Sequence, residues 1–428
     1  MSKGGGLLQL VATGRQDVYL TGNPQTTFFK QVYRRHTNFS IESQRIPFET
    51  GVEFNKLITT TIPRSGDLLT QLILEISLPQ ITPNGPIIPS SACDLPVDVS
   101  GSIFTSWVNG IGYAMIDYVS IQFGSQEIDR LYGEWLHIWS KLSTPGAKQA
   151  GFNYMIGYQE AYDDNTQTGP LKLFVPLNFW FCKNVGLALP LIALQSMPIR
   201  ILIKLKNGYD MVYSRELVTN PSFKTATQPV ILDMVLWGDF VLLDVEERRR
   251  FTSSRHEYLI EQTQIQRKYP IPASALYANV PLNFNHPLKE IVWVVQENRM
   301  VNYHEPFNFT PRALTESGIV TDLINTAVIQ FDGYDRFEKR SAPYFRLVQP
   351  WQRHTSIPND FIYVYSFSLA PESEQPQGTC NASRIDSINL QVEMNTSIPR
   401  TDCGITVYAT NYNILRIVAG LGGLLFTV

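Results

Sequence analysis

Residues 35–44 read Arg-His-Thr-Asn-Phe-Ser-Ile-Glu-Ser-Gln, and residues 255–264 read Arg-His-Glu-Tyr-Leu-Ile-Glu-Gln-Thr-Gln. One single-residue gap brings the two segments into register at an offset of about 220. The same offset relates Gly66-Asp-Leu68-Leu-Thr-Gln-Leu-Ile-Leu74 to His286-Pro-Leu288-Lys-Glu-Ile-Val-Trp-Val294. Further on, Ile121-Gln-Phe123 and Asp129-Arg130 return as Ile329-Gln-Phe331 and Asp335-Arg336, with the offset reduced to about 207. The missing residues belong to segment 79–101 of the first copy, a loop holding Pro79, Pro83, Pro86, Pro89 and Pro96. Finally, residues 198–203 align with 387–392. Each match is weak alone, but their shared order is the mark of an internal duplication.

Both copies read as all-β. In the first, segments 39–46, 72–78, 119–123, 173–181, 199–205 and 231–243 are rich in β-branched and aromatic residues. In the second, 258–265, 291–295, 327–331, 362–369, 388–392 and 405–409 have the same character. Ile199, Ile201 and Ile203 alternate with polar residues, which implies one buried face. Long connections between short strands point to Greek-key or jelly-roll wiring. Helices are expected at three places. Leu131, Trp135, Ile138, Trp139 and Leu142 have amphipathic helical spacing. Thr26 or Thr27 can cap a short helix through 28–33. Glu246 to Arg250 places acids before arginines, the polarity a helix dipole favours, and marks the handover between the halves. The expected division is an arm over 1–25, a first sandwich over 26–246 and a second over 247–428, a size suited to two domains.

Composition bounds the function. Charged residues make up 17% of the chain, against about 25% in ordinary soluble proteins. Extensive contacts with other chains would explain that deficit, because charge is depleted at interface cores, and so would two large cores. The net charge of −3 and the lack of a long basic run argue against direct nucleic-acid contact. Cys93, Cys182, Cys380 and Cys403 lie far apart with no CxxC pair, which fits a reducing compartment without a disulfide framework. The glycine-rich start does not read as a signal peptide, and apolar residues 414–428 are too few for a membrane helix, so synthesis and folding are expected in cytosol. The N-x-S/T sequons at Asn38, Asn308, Asn381 and Asn395 are read as chance occurrences.

No enzymatic pattern stands out: GxSxG, GxxxxGK[ST], HExxH, a GxGxxG after a strand and zinc-spaced Cys/His sets are all missing. His36 and His256 occupy equivalent repeat positions, and the expected role is a copied structural one, such as bonding a strand-end carbonyl. His286 precedes Pro287 in a turn, His137 is placed on the solvated side of its helix, and His304 and His354 fall in loops without a partner pattern. Asp163-Asp164 reads as a solvated turn rather than a carboxylate pair, and Asp332-Gly333 as a hairpin turn. Glu246 to Arg250 reads as a solvated helix face rather than a basic patch. The expectation is therefore no catalytic, cofactor-binding or metal residues.

Several long blocks resemble one family. Gly4-Gly-Gly-Leu-Leu-Gln-Leu-Val-Ala12, Gln16-Asp-Val-Tyr-Leu-Thr-Gly-Asn-Pro24 with the following residues to Lys30, and Tyr33-Arg-Arg-His-Thr-Asn-Phe39 are similar to the major capsid proteins of nucleocytoplasmic large DNA viruses. Segments 186–194, 256–262, 282–287, 377–385 and 411–417 extend the likeness to both halves; 79–101 and 301–325 have no counterpart. The resemblance implies a double jelly roll, two tandem eight-stranded sandwiches with a few short helices. It further implies homotrimeric, pseudo-hexagonal capsomers tiling an icosahedral shell, with minor capsid and penton proteins as partners and an inner membrane reached only indirectly. It places the protein in the virion after assembly in host cytoplasm. Residues 4–14 would be flexible until docked on a neighbour or a minor capsid protein. Two rival readings are a carbohydrate-binding β-sandwich protein and a minor capsid component.

Overall fold

Alternation governs the strands. Along Ile199–Leu205 every second residue is buried, and Ile388–Met394 repeats that rhythm, so each strand turns one face to a core and the other outward. The computed structural model describes residues 4–82, 84–87, 105–159, 169–214, 224–311 and 322–427.

Eight principal strands build the first half: β1 (Phe39–Ile46), β2 (Leu57–Thr61), β3 (Leu68–Leu78), β4 (Ile116–Phe123), β5 (Gln126–Tyr132), β6 (Leu171–Pro176), β7 (Ile199–Leu205) and β8 (Asp233–Leu243). They form one sheet of order β1-β8-β3-β6 and a second of order β2-β7-β4-β5, every pair antiparallel. The second half contributes β9 (His256–Ile271), β10 (Tyr277–Pro281), β11 (Pro287–Glu297), β12 (Ile324–Phe331), β13 (Tyr334–Asp335), β14 (Ile362–Ser366), β15 (Ile388–Met394) and β16 (Cys403–Val418). Their sheets run β9-β16-β11-β14 and β10-β15-β12-β13. Numbered within its own half, each sandwich has the order 1-8-3-6 over 2-7-4-5. That is the jelly-roll wiring, so the chain is a double jelly roll.

The likeness reaches the bulges. In the first half β8 skips Thr70 between Leu69 and Gln71; in the second β16 skips Lys289 between Leu288 and Glu290. Hairpin β12–β13 turns on Asp332 and Gly333, whose φ values of 50° and 84° suit a two-residue primed turn, as expected for that pair. Each sandwich packs its inner faces into one continuous apolar cluster that includes Ile46, Leu74, Ile121 and Phe240 in one half and Leu288, Val292, Ile329 and Val407 in the other.

Several expectations are corrected. Strands β2, β5 and β10 were not anticipated, and the segment expected as a strand over 173–181 ends at Pro176, giving way to a buried helical turn, Trp180–Lys183. Residues 28–33 form no helix. Phe28 and Phe29 are almost wholly exposed. Residues 1–38 form a unit of their own in which Gly5–Val11 and Val18–Thr21 are helical. The start Leu7-Leu8-Gln9-Leu10 consists of good helix formers.

Candidate functional site: the seam between the sandwiches

The helix Gly133–Ser143 follows β5 and is buried along almost its whole length. It begins on Gly133 because a Cβ there would lie 2.2 Å from the Tyr113 carbonyl oxygen and 2.4 Å from that of Ile116. Helical spacing predicted an apolar stripe with the opposite face solvated; instead the second sandwich covers that face. Trp135 packs on Tyr408 of β16 with ring centres 5.3 Å apart, and Trp139 meets the His354 ring edge-on. Lys141 lies over the Tyr158 ring and 3.8 Å from Asp360, while the Leu142 carbonyl accepts a hydrogen bond from Ser356 N–H. A helix apolar or covered on every side is a core helix.

His137 is therefore not solvated, contrary to its expected placement. Its ring is fully buried and stacks on Phe307, 4.0 Å away and within 3° of parallel. Burial, aided by nearby Lys141, pushes its pKa well below the ordinary value, so it serves as a neutral aromatic plate. Phe307 comes from a segment 170 residues later in the chain, beyond the reach of helical periodicity.

Polar contacts complete the seam. The outer edge of β9 presents the Thr263 N–H, which donates to Asp129 Oδ1 at 3.2 Å, and Gln262 Nε2 donates to the Ile128 carbonyl. Burial raises the Asp129 pKa to about 7 against the pull of the Thr263 and Arg130 backbone N–H donors. Glu261 is clasped by Lys183 of the first half and Lys289 of the second. Burial opposes its charge, yet the two ammonium groups hold its pKa down at about 2.

His354 also departs from expectation, since it has partners on both sides. Nε2 lies 3.1 Å from Glu290 Oε2 and Nδ1 lies 2.9 Å from Glu372 Oε1. The Nε2 contact is out of line for a hydrogen bond, so its attraction is chiefly that of charge. Burial would lower the histidine pKa, but the flanking carboxylates outweigh it and raise it to about 9. A second buried group joins Arg346 Nε to Asp322 Oδ1 at 2.8 Å, with the Tyr363 hydroxyl donating to the same oxygen at 3.1 Å. Asn395 Nδ2, the sequon nitrogen, is buried and donates to the Asp322 carbonyl.

The remaining histidines have local roles. His36 Nδ1 lies 2.7 Å from the Thr37 carbonyl oxygen just before β1, and His256 Nε2 lies the same distance from the Phe251 carbonyl in the last turn of the helix Val245–Ser253. His286 sits at φ 66° in its turn before Pro287. His304, expected without a partner, lies with Nδ1 2.7 Å from the Val212 carbonyl oxygen. The expected helix over 246–250 is present as Val245–Ser253, capped by Asp244 Oδ1, and Arg248 reaches Asp67 at 3.0 Å. Asp163, Asp164 and Cys93 lie outside the described residues, as do parts of 79–101 and 301–325. A cavity of about 380 Å³ opens at the seam among Asn109, Tyr158, Tyr213, His304, Glu305 and Phe307. Several of its polar groups already bond within the chain: Asn109 clamps Gln159 and Asn308 bonds Glu305. Among the described residues no cluster of three His, Cys, Asp or Glu groups is placed to hold a metal ion.

Fold and seam together define a structural double-jelly-roll protein whose buried polar groups join one half to the other. Comparisons with known proteins narrow that class. A family model described as major capsid protein N-terminus matches residues 27–244, and one described as large eukaryotic DNA virus major capsid protein matches 247–423. The major capsid protein of Phaeocystis pouchetii virus is 35% identical, with 99% of each chain covered. That of Paramecium bursaria Chlorella virus 1 is 34% identical, again over 99% of each. A solved chain in the quasi-atomic model of the PBCV-1 virus capsid superimposes with a TM-score of 0.76 at 29% identity, covering 94% of this chain and 100% of that one. The chain belongs to the major capsid proteins of large eukaryotic DNA viruses. It is a structural component of the virion shell and associates with itself there.

Proposed function

We propose that three copies of this chain form a capsomer of pseudo-hexagonal outline, and that such capsomers tile the facets of an icosahedral shell. The observation that carries this reading is the shared strand order of the two sandwiches: three chains would present six similar modules, one to each of six neighbours. In this reading 1–25 acts as an arm, 26–246 as the first module and 247–428 as the second. The arm docks on a neighbouring capsomer or a minor capsid protein at the inner side. Minor capsid and penton proteins are the remaining partners, an inner membrane is reached only through them, and assembly takes place in host cytoplasm. The protein does no catalysis and uses no cofactor, metal or nucleic-acid contact. Weak contacts between capsomers suffice, because many act together across a lattice.

Native mass tests the trimer. The expected result is a particle of three times 48.6 kDa that survives dilution; a monomer would overturn the reading. Removing residues 1–14 is expected to leave that trimer intact while impairing lattice assembly, and loss of the trimer would refute the arm's assigned role.

A further inference from the structure

A second cavity, of about 250 Å³, lies at the seam. Trp139, Trp180 and Lys183 of the first half line it, together with Glu261, Glu374 and Tyr412 of the second. The helix Gly133–Ser143 supplies Trp139, and the helical turn after β6 supplies Trp180 and Lys183. Glu261 of β9 and Tyr412 of β16 are direct partners across the ladder, so their side chains leave the sheet on one face. Trp180 and Tyr412 are buried and form the floor, while Leu259 and Glu374 are exposed and mark the mouth.

Two observations point to an occupant. Tyr412 is only 6% exposed, yet its hydroxyl meets no hydrogen-bond partner among the described residues. A buried hydroxyl without a partner opposes folding, and a ligand that reaches it relieves that cost. The other observation is charge. Lys183 and Lys289 clasp Glu261, and His354, kept protonated, lies between Glu290 and Glu372. Those three cations match three carboxylates, and Glu374 is a fourth, so one negative charge is left over. The walls are aromatic and aliphatic, and among the described residues no group of three metal-binding side chains converges. They already accommodate an organic cation from within the chain. The Lys183 ammonium lies 4.2 Å from the centre of the Trp139 ring while bonding Glu261 at 2.8 Å.

We propose that this cavity binds a singly charged organic cation, an alkyl guanidinium or ammonium. Its stem lies along Trp180 and Leu187, its charge faces Glu374, and one N–H donates to the Tyr412 hydroxyl. The group can arrive as a free small molecule or on an arginine or lysine side chain of another protein. The inference does not depend on how many chains form a capsomer.

The test titrates butylguanidinium into the full chain by calorimetry at neutral pH, with butylurea as its uncharged isostere. One site per chain is expected for the cation, with a dissociation constant of about 1 mM or tighter, and none for the urea. Tyr412→Phe should weaken binding about fivefold, the worth of one hydrogen bond, and Glu374→Gln about threefold. Both variants should melt no lower than the parent, because one loses an unpaired hydroxyl and the other a surface charge. Acetyl-arginine amide separates the two sources. If it binds as well as butylguanidinium, the site takes a protein side chain; if it is excluded while butylguanidinium binds, the site takes a free cation. Equal binding of the urea, no saturation by either cation, or an affinity untouched by both substitutions would overturn the assignment.

Discussion

The third strands of the two sandwiches carry the same bulge with opposite chemistry. In β3 it consists of Leu69-Thr70-Gln71, and the Thr70 hydroxyl donates to the Asp239 carbonyl at 3.1 Å. In β11 it consists of Leu288-Lys289-Glu290, with both charged residues essentially inaccessible to solvent. Lys289 is neutralised by Glu261, while Glu290 faces His354 and accepts from the Thr410 hydroxyl at 3.2 Å. Strand order and bulge therefore survive a change from neutral to ionic. What each half requires is that every buried charge finds a partner, since an unpaired one costs several kcal/mol. The first sandwich builds its centre from Trp107, Tyr113 and Phe179, whereas the second embeds Asp322–Arg346 and Glu290–His354–Glu372 in its own.

Four substitutions break or sharpen that contrast, in falling order of effect. Arg346→Met strands the Asp322 carboxylate beside Tyr363, and a loss of about 4 kcal/mol is expected from denaturant unfolding. A loss below about 1 kcal/mol would show that the pair is dispensable.

His354→Ala leaves Glu290 and Glu372 facing each other and is expected to cost on the order of 3 kcal/mol at neutral pH. The histidine's folded pKa lies above its ordinary value, so its contribution is complete below about pH 6.5 and is lost as pH rises through about 9. The melting temperature of the unsubstituted chain should thus fall over that window, and the variant should lack that step. An unchanged step would assign it to another group.

Asp129→Asn keeps an acceptor for the Thr263 N–H while removing a buried charge. Burial has raised this carboxyl's pKa, so its ionisation opposes folding in full above about pH 7, and the penalty fades as pH falls from there toward the ordinary value of 3.8. A gain of about 1–2 kcal/mol is expected at pH 8, shrinking in acid; a loss at pH 8 would mean that the seam needs the charge. Thr70→Val, in the neutral bulge, should cost about 1 kcal/mol or less, the worth of one hydroxyl hydrogen bond. A larger cost would place an energetic role in the bulge itself.

Legibility from sequence followed the range of the interactions. The duplication, the helices Gly133–Ser143 and Val245–Ser253, and the turn at Asp332-Gly333 were readable because their signals are local: periodicity, charge polarity and turn chemistry. Strand β5 escaped because Gln126-Glu-Ile-Asp-Arg-Leu-Tyr132 is polar by composition and gains its burial from the other sandwich. β2, with Leu-Ile-Thr-Thr-Thr, and β10, which ends in proline, are short edge strands with little alternation to detect. His354 looked solitary because Glu290 lies 64 residues before it and Glu372 18 after, at no spacing that marks a site.

By itself the sequence determined that the chain is all-β and duplicated, and its ordered blocks carried the family likeness, because strand patterning and repeat order are written along one dimension. Which surfaces the duplication covers was decided only in three dimensions. His137 and Trp139 are buried, and Trp351 stands open, because the second sandwich folds over the first one's helix and, among the described residues, nothing folds over the second one's. Tandem copies joined in a line can cover only one of two equivalent faces from within, and no local pattern of residues says which.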